Sequence, residues 1–424
     1  MAGDHGRGDP KRLRGGGRRH GARRVDPRCS ARSLRGKARA AMSGGASGDE
    51  RPREVTPEAM TGEVLDRCRE AGFALAGVCD AMPTEHSEEI RAWIAGGRHG
   101  SMAWLEDRLD ERLDPATYVE GARSIICVAD RYHDGSRDQV DLEGPLQGRI
   151  ARYARGRDYH KVLKKRLVKI ARSLGESHPG HHFRPCVDTA PLLEREHAMR
   201  AGLGLVGKHS LLIEPGVGSW MLLGAIVTTM PLAATPSPYR RPDPCGECTR
   251  CIDACPTDAI TPFSVDATRC LAYTTIEHRT PIDPELADGA AGSLETRTGD
   301  WLFGCDICQE VCPHGRRARR REPAEVHPGY EPRRAGLDLL EVLGWNEERA
   351  MEALSGTAAR RATLVMWKRN ALVCAGNGLR ERPDAPGAQA LLERIRGISE
   401  DRLEDEMVRA TARRVMERLE SGSA

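Results

Sequence analysis

Eight of the chain's 14 cysteines lie between residues 245 and 312, and packing alone gives no reason for such crowding. The string CGECTRCIDACP carries Cys245, Cys248, Cys251 and Cys255, followed by Pro256. This is the C-x2-C-x2-C-x3-C-P run of two-cluster ferredoxins, in which the fourth Cys serves the other cluster. Three thiolates this close can wrap one side of a cubane. The fourth, about one helical turn further on, points away. A second run, CDICQEVCP, supplies Cys305, Cys308 and Cys312 before Pro313, and Cys270 stands alone between the two. Exchanging the last Cys of each run gives two complete sets. Cluster one is expected on Cys245, Cys248, Cys251 and Cys312, and cluster two on Cys255, Cys270, Cys305 and Cys308, both as 4Fe-4S. Zinc is the competing reading, although tetrahedral zinc usually takes separated Cys pairs. Disulfides are disfavoured: no secretory segment is recognisable, so a reducing cytoplasm is the expected location. Cys29, Cys68, Cys79, Cys127, Cys186 and Cys374 have no ligand spacing and read as unpaired or core thiols.

Two adjacent clusters pass single electrons, and a wire needs a terminus. The length of 424 residues leaves room for two or three domains. No run of about 18 apolar residues occurs, so no membrane span is expected. The formal charge of +3 hides an asymmetry, because residues 1–40 hold 13 Lys or Arg against 3 Asp and the remainder is acidic. A polynucleotide partner would therefore be gripped by local basic patches.

Four regions are expected. Residues 1–54, rich in Gly, Arg and Ser, read as a disordered basic extension, with a targeting peptide or RNA-binding arm as alternatives. Residues 55–235 alternate helices with short apolar strands and read as an α/β layer domain. Helices are predicted from Thr56-Pro57, over 85–95 and over 159–174, and strands over 73–78, 124–129, 183–187 and 220–228. On the third helix Lys161, Lys165, Lys169 and Arg172 line one face, as a solvated surface or a phosphate-contacting stripe. Residues 236–325 form the cluster module after a Pro-punctuated linker. Residues 326–424 show helical spacing and read as helical hairpins or a degenerate repeat. No G-x-G-x-x-G opens a helix after a strand, so a Rossmann nicotinamide site is unsupported. The residues alone imply a soluble oxidoreductase with two cubanes and an unidentified second redox group.

Several longer strings narrow this further: RLDP at 112–115, ARYARGRDYHK at 151–161, VDTAPLLEREHAMRAGLGLVGKHSLLI at 187–213, GSWMLLGAI at 218–226, YTTIEHR at 273–279 and RNALVCAGN at 369–377. Together with the Cys runs they resemble the cobalamin-dependent epoxyqueuosine reductases of queuosine tRNA modification. The resemblance implies a nitroreductase-like α/β domain holding base-off cobalamin against a ferredoxin-like module, with a HEAT-like tail. It implies reduction of epoxyqueuosine to queuosine in the tRNA anticodon loop, with electrons passing through cluster one and cluster two to cobalamin.

Asp188 matches the family's proton donor, a role that asks burial to raise its carboxyl toward neutrality. The competing reading of Asp188 is a helix N-cap. Arg112, Lys208, His209, Ser210, Ala272, Tyr273 and Asp306, with Asp188, match positions around the corrinoid. Candidate phosphate grips are Arg155, Arg157, Lys161, the Glu277-His278-Arg279 stretch, the GRRARRR run at 315–321, Arg360, Arg361, Lys368 and Arg369. A small ferredoxin- or flavodoxin-type donor and a monomeric state are expected. Two other functions stay open at this level: a small-molecule reductase of the dehalogenase type, and a non-catalytic electron-transfer ferredoxin.

Overall fold

The Thr56 hydroxyl accepts the Ala59 N–H while Pro57 presets the first turn, and helix α1 runs from Pro57 to Glu70. The computed structural model describes residues 56–136, 138, 143–215, 217–239, 243–282, 293–317 and 325–421. The expected extension over 1–54 and residues 318–321 of the basic run lie outside the described residues. All described residues belong to one unit, Glu54–Ala424.

Strand β1 (Leu75–Asp80) begins two residues later than predicted, because the Phe73 N–H still bonds the Cys68 carbonyl at the exit of α1. It pairs antiparallel with β2 (Ser124–Arg131). On the other side of β2 lies β5 (Met221–Thr228), which in turn pairs antiparallel with β4 (Phe183–Cys186) at the edge. Strand β2 is buried from Ser124 to Asp130, which is why SIICVA reads as unbroken apolar sequence. Ile126 and Val128 face Val64 and Cys68 of α1 and Leu163 and Leu167 of α2 (Tyr159–Ser177). Ile125, Cys127 and Ala129 face the opposite core with Ala198 of α3 (Glu194–Arg200). The exposed side of α2 carries Lys161, Lys165, Lys169 and Arg172.

A second sheet joins distant parts of the chain. Strand β3 (Gln147–Ile150) lies between β6 (Trp301–Phe303), parallel to it, and β7 (Gly336–Asp338), antiparallel to it. Leu302, Phe303, Leu337 and Leu339 share one core with the C-terminal helices. Helix α5 (Leu364–Glu381) is buried almost continuously from Met366 to Leu379, and Trp367 stacks on Phe303 with ring centroids 5.4 Å apart. Helices α6 (Ala388–Glu400) and α7 (Glu406–Ser421) pack Ile395, Val408, Ala412 and Val415 into the same core.

The polar residues of RNALVCAGN have a specific task inside that core. Arg369 is fully buried and donates to the carbonyl oxygens of Thr274 (2.7 Å), His278 (2.6 Å) and Thr280 (2.8 Å). Asn370 donates to Thr275 O and Leu302 O, and Asn377 to Glu295 O and Gly299 O. These bonds fix the end of α4 (Leu271–Ile276), the helix that follows Cys270. Arg369 is thus an internal clamp, not a phosphate grip. Among the described residues no helix is long and apolar enough to cross a membrane.

Replacing Arg369 with Met should strand these carbonyls and destabilise the fold by on the order of 3 kcal/mol. Arg360→Met, at an exposed position, should change stability by less than about 0.5 kcal/mol. Denaturant midpoints that are equal for the two variants would contradict the clamp.

Candidate active site and cluster centres

After β4 the chain turns sharply at Asp188, whose φ of +51° lies in the left-handed region that side chains other than Gly rarely adopt. Two contacts hold it there. The Asp188 N–H donates to Glu194 Oε1 at 2.9 Å, and the carboxylate oxygen Oδ2 lies 3.0 Å from His160 Nε2. The other ring nitrogen of His160, Nδ1, lies 2.8 Å from Asp158 Oδ1, and Asp158 caps α2 by accepting the His160 N–H. With a carboxylate at each nitrogen, only the imidazolium satisfies both partners. Tyr159 stacks on the imidazole at 4.0 Å. The N-cap of α3 is Leu193, so the cap reading of Asp188 does not hold.

The electrostatics of this loop differ from expectation. Asp188 keeps a side-chain exposure of 54%. Desolvation would raise its carboxyl, but the hydrogen bonds from His160 and Tyr159 and the charges of His160 and Arg361 outweigh it. The carboxyl is held below its usual range. Burial alone does not prepare it as an acid at neutral pH, which corrects the sequence-based expectation. For His160, burial lowers proton affinity, yet Asp188 and Asp158 raise it more, to a net increase. Burial and the Asp188 charge push Glu194 up to about 8. Proton affinity is thus lowered on Asp188 and raised on the two groups beside it, His160 and Glu194.

Cationic groups flank this loop. Arg112 is buried, lies 5.2 Å from the Trp104 ring, and acts electrostatically on Asp188 and Glu194; its Nε has no hydrogen-bond partner. Arg195 donates to the Ser210 carbonyl (2.5 Å) and hydroxyl (3.1 Å), gripping a turn in which Ser210 has φ +61°. Arg112 and Arg195 thus both feel the Asp188 charge, and Ser210 is tied to this group through Arg195. Lys208 and His209 of the same turn go elsewhere. The Lys208 N–H donates to Cys245 Sγ at 3.4 Å and its Nζ to Gly246 O at 2.6 Å. His209 is 3% exposed, and burial drives its imidazole down to about 4.

Ala272 and Tyr273 follow Cys270 on α4. The Tyr273 hydroxyl accepts the Ser101 N–H (2.8 Å) and donates to Ser101 Oγ (2.9 Å). Its ring presses so closely on Gly100 that a Cβ there would lie 2.5 Å from it. Asp306 is buried and already engaged: its Oδ2 accepts from the Arg152 N–H (2.8 Å) and Nη1 (3.1 Å). Arg152 also binds Glu310 and Asp138. Asp306 therefore anchors Arg152 through Oδ2. Tyr153 lies between the two regions, its phenol pushed up by burial and then by the charges of Asp188 and Asp306.

The thiols gather in two groups. Cys245, Cys248, Cys251 and Cys312 line a single cavity together with His209 and His314. Cys255, Cys270 and Cys305 are electrostatic neighbours, and Cys308 joins them through Cys305 and Cys270. Burial pushes the Cys251 thiol up to about 11 and raises Cys305 and Cys308 further. Such thiols ionise readily only against a compensating metal charge, which suits metal-cluster ligands. Among the described residues no three His, Cys, Asp or Glu side chains converge on a single-ion site. The first set borders a cavity instead.

Of the expected phosphate grips, Arg155 is buried and bidentate to Asp138, Lys368 is buried against Glu404 at 2.6 Å, and Arg361 pairs with Glu277 at 2.8 Å. Arg157, Lys161, Arg279 and Arg360 are exposed. Sequence reasoning missed His160, Asp158, Glu194 and Arg152. For the first two the Asp-x-His spacing at a helix start was the available signal. The others needed the tertiary fold.

The chain resembles known proteins in both sequence and fold. The family described as "Epoxyqueuosine reductase QueG, DUF1730" matches residues 112–189, and the "4Fe-4S double cluster binding domain" matches residues 244–315. An epoxyqueuosine reductase of Synechococcus sp. (strain CC9605) is 41% identical over 313 residues, covering 72% of this chain and 91% of the relative. That of Gloeobacter violaceus is 39% identical over 330 residues, covering 75% and 97%. The crystal structure of a selenomethionine-labeled epoxyqueuosine reductase shares the fold with a TM-score of 0.74 at 24% identity, over 85% of this chain and 90% of that one. An epoxyqueuosine reductase solved with a tRNA-Tyr epoxyqueuosine-modified stem loop gives 0.70 at 23% identity, over 85% and 99%. The chain belongs to the epoxyqueuosine reductase family: it is an oxidoreductase with two 4Fe-4S clusters and cobalamin as cofactors.

Proposed function

We propose that this chain reduces epoxyqueuosine to queuosine in the tRNA anticodon loop, with Asp188 as the immediate proton donor and His160 as the group that recharges it. The Asp158–His160–Asp188 chain carries the reading, because it holds a proton one hydrogen bond from an exposed carboxylate. Removing the epoxide oxygen breaks both C–O bonds, forms a C=C bond and releases water, consuming two electrons and two protons. The corrinoid and the clusters supply the reducing chemistry when bound. Cys245, Cys248, Cys251 and Cys312 would hold cluster one, and Cys255, Cys270, Cys305 and Cys308 cluster two. The buried Arg112, whose Nε has no partner, and the Arg195–Ser210 turn offer donors suited to the amides and phosphate of a corrinoid.

A tRNA loop seated over Asp188 would strip water from its exposed face. Desolvation then raises the carboxyl and draws the proton from His160 onto it. The two groups titrate as a pair. In this reading the 55–235 region is a nitroreductase-like cradle, 236–325 a ferredoxin-like module and 326–424 a HEAT-like tail. The protein acts as a cytoplasmic monomer fed by a small ferredoxin- or flavodoxin-type donor. Exposed Arg157, Lys161, Lys165 and Lys169 grip phosphates flanking the splayed base.

The Asp188→Asn protein should keep its iron and corrinoid yet lose turnover by about 10²-fold or more, measured by nucleoside mass spectrometry on epoxyqueuosine-bearing tRNA under anaerobic conditions. Full turnover in that variant refutes the donor role. Because the folded value of His160 is raised, the proton is present below that value and lost above it. Wild-type turnover should accordingly fall as pH rises through it, and His160→Gln should remove this limb; an unchanged profile argues against the relay. Binding of tRNA should weaken steeply with salt, and Lys161→Ala with Lys165→Ala should flatten the log–log slope by about 0.7–0.9 per lost contact. Affinity that is flat over a severalfold salt range would remove the patch.

A further inference from the structure

The cavity bordered by Cys245, Cys248, Cys251 and Cys312 has two histidines in its wall, and they are not equivalent. The Leu211 N–H donates to His209 Nδ1 at 3.2 Å, so that nitrogen carries no proton and the neutral ring places its proton on Nε2. His209 Nε2 is buried and has no hydrogen-bond partner. A buried N–H left unpaired costs about 1–3 kcal/mol and calls for an acceptor. In His314 the roles are reversed. Its Nε2–H donates to the Pro244 carbonyl at 3.0 Å, leaving a lone pair on the unpartnered Nδ1.

The turn bearing His209 is fixed against this cavity. The Lys208 N–H already reaches Cys245 Sγ, and the Gly207 N–H bonds Leu211 O at 3.0 Å. A Cβ on Gly207 would lie 3.1 Å from His209 Cε1 and 2.4 Å from Ile213 Cδ1, so the imidazole packs directly on the backbone beneath it.

We propose that His209 Nε2–H donates a hydrogen bond to sulfur of the iron-sulfur cluster held by Cys245, Cys248, Cys251 and Cys312, and so sets the potential at which that cluster takes up an electron. The inference rests on these four thiols binding one cluster. An N–H···S bond is stronger to the reduced, more negative cluster, so it favours reduction. One electron is gained and no proton moves. His209 is a tuning residue that acts through the cluster and touches no substrate.

The test is an anaerobic redox titration of the full-length holoprotein, followed by electron paramagnetic resonance. His209→Leu should retain iron and sulfide while the midpoint of one cluster moves negative. The reduced-to-oxidised ratio at fixed potential should fall about tenfold, or about 59 mV for one electron. His209→Gln, which keeps an N–H, should recover most of that shift. An unchanged midpoint in His209→Leu, or equal shifts in the Leu and Gln variants, overturns the proposal. Should His209→Leu fail to retain the cluster, reduced wild-type protein labelled with 15N-histidine serves instead. Electron–nuclear double resonance should then show 15N coupling and a proton that exchanges in deuterated water, and their absence overturns the proposal. Metal analysis isolates the underlying assignment: about eight irons per wild-type chain, and about half after Cys251→Ser, are required of two 4Fe-4S clusters. Failure there refutes the thiol grouping whatever the midpoints of the His209 variants.

Discussion

Thiols that serve one inorganic group but arise from different runs must be carried to each other by the fold. Cys312 meets Cys245, Cys248 and Cys251, while Cys255 turns away toward Cys270, Cys305 and Cys308. Neither set can form locally, so the segments between them have to be fixed from outside. The Arg369–Asn370 clamp does this for α4, which follows Cys270, and Arg152 does it for the segment bearing Cys305 and Cys308 through Asp306. Buried ionic and polar groups of this kind are costly to leave half-satisfied, which ties cluster geometry to distant helices.

The same economy shapes the Asp188 loop. Asp188 is held in an unfavourable backbone region by Glu194 on one side and His160 on the other. The α2 cap residue that starts the helix, Asp158, also orients the imidazole. Helix initiation and the hold on the Asp188 carboxylate thus share three consecutive residues, Asp158, Tyr159 and His160. Tyr153 lies edge-on to Tyr159 at 6.0 Å and 6.4 Å from Phe303, and so joins the start of α2 to β6 without a charged group of its own.

Much of this was legible in the amino-acid order, and the gaps have physical reasons. The spacing predicted an exchange of thiols between the two runs, and Cys312 does line one cavity with Cys245, Cys248 and Cys251. Thr56-Pro57 marked α1, and SIICVA marked a strand buried on both faces. The chemistry at Asp188 was not legible, since its proton affinity depends on His160, 28 residues earlier and brought near only by the fold. Apolar flanks suggested a raised carboxyl, and a neighbouring imidazolium reversed the sign. Arg369 looked like a surface cation because helical periodicity does not announce a helix buried on every side. Lys208 and His209 looked like partners of Ser210, yet a tight turn sends adjacent side chains in opposite directions.

The sheet formed by β3, β6 and β7 has a consequence for dissection of the protein. Its three strands come from before the cysteine runs, from among them and from the helical tail, and the central strand is the earliest in the chain. A fragment beginning at the linker would leave β6 and β7 with no common neighbour and remove Leu146, Ile150 and Ala154 from the core they share with Leu302 and Leu337. Recombination or truncation at the apparent seams therefore breaks hydrogen-bond ladders rather than releasing a portable electron carrier.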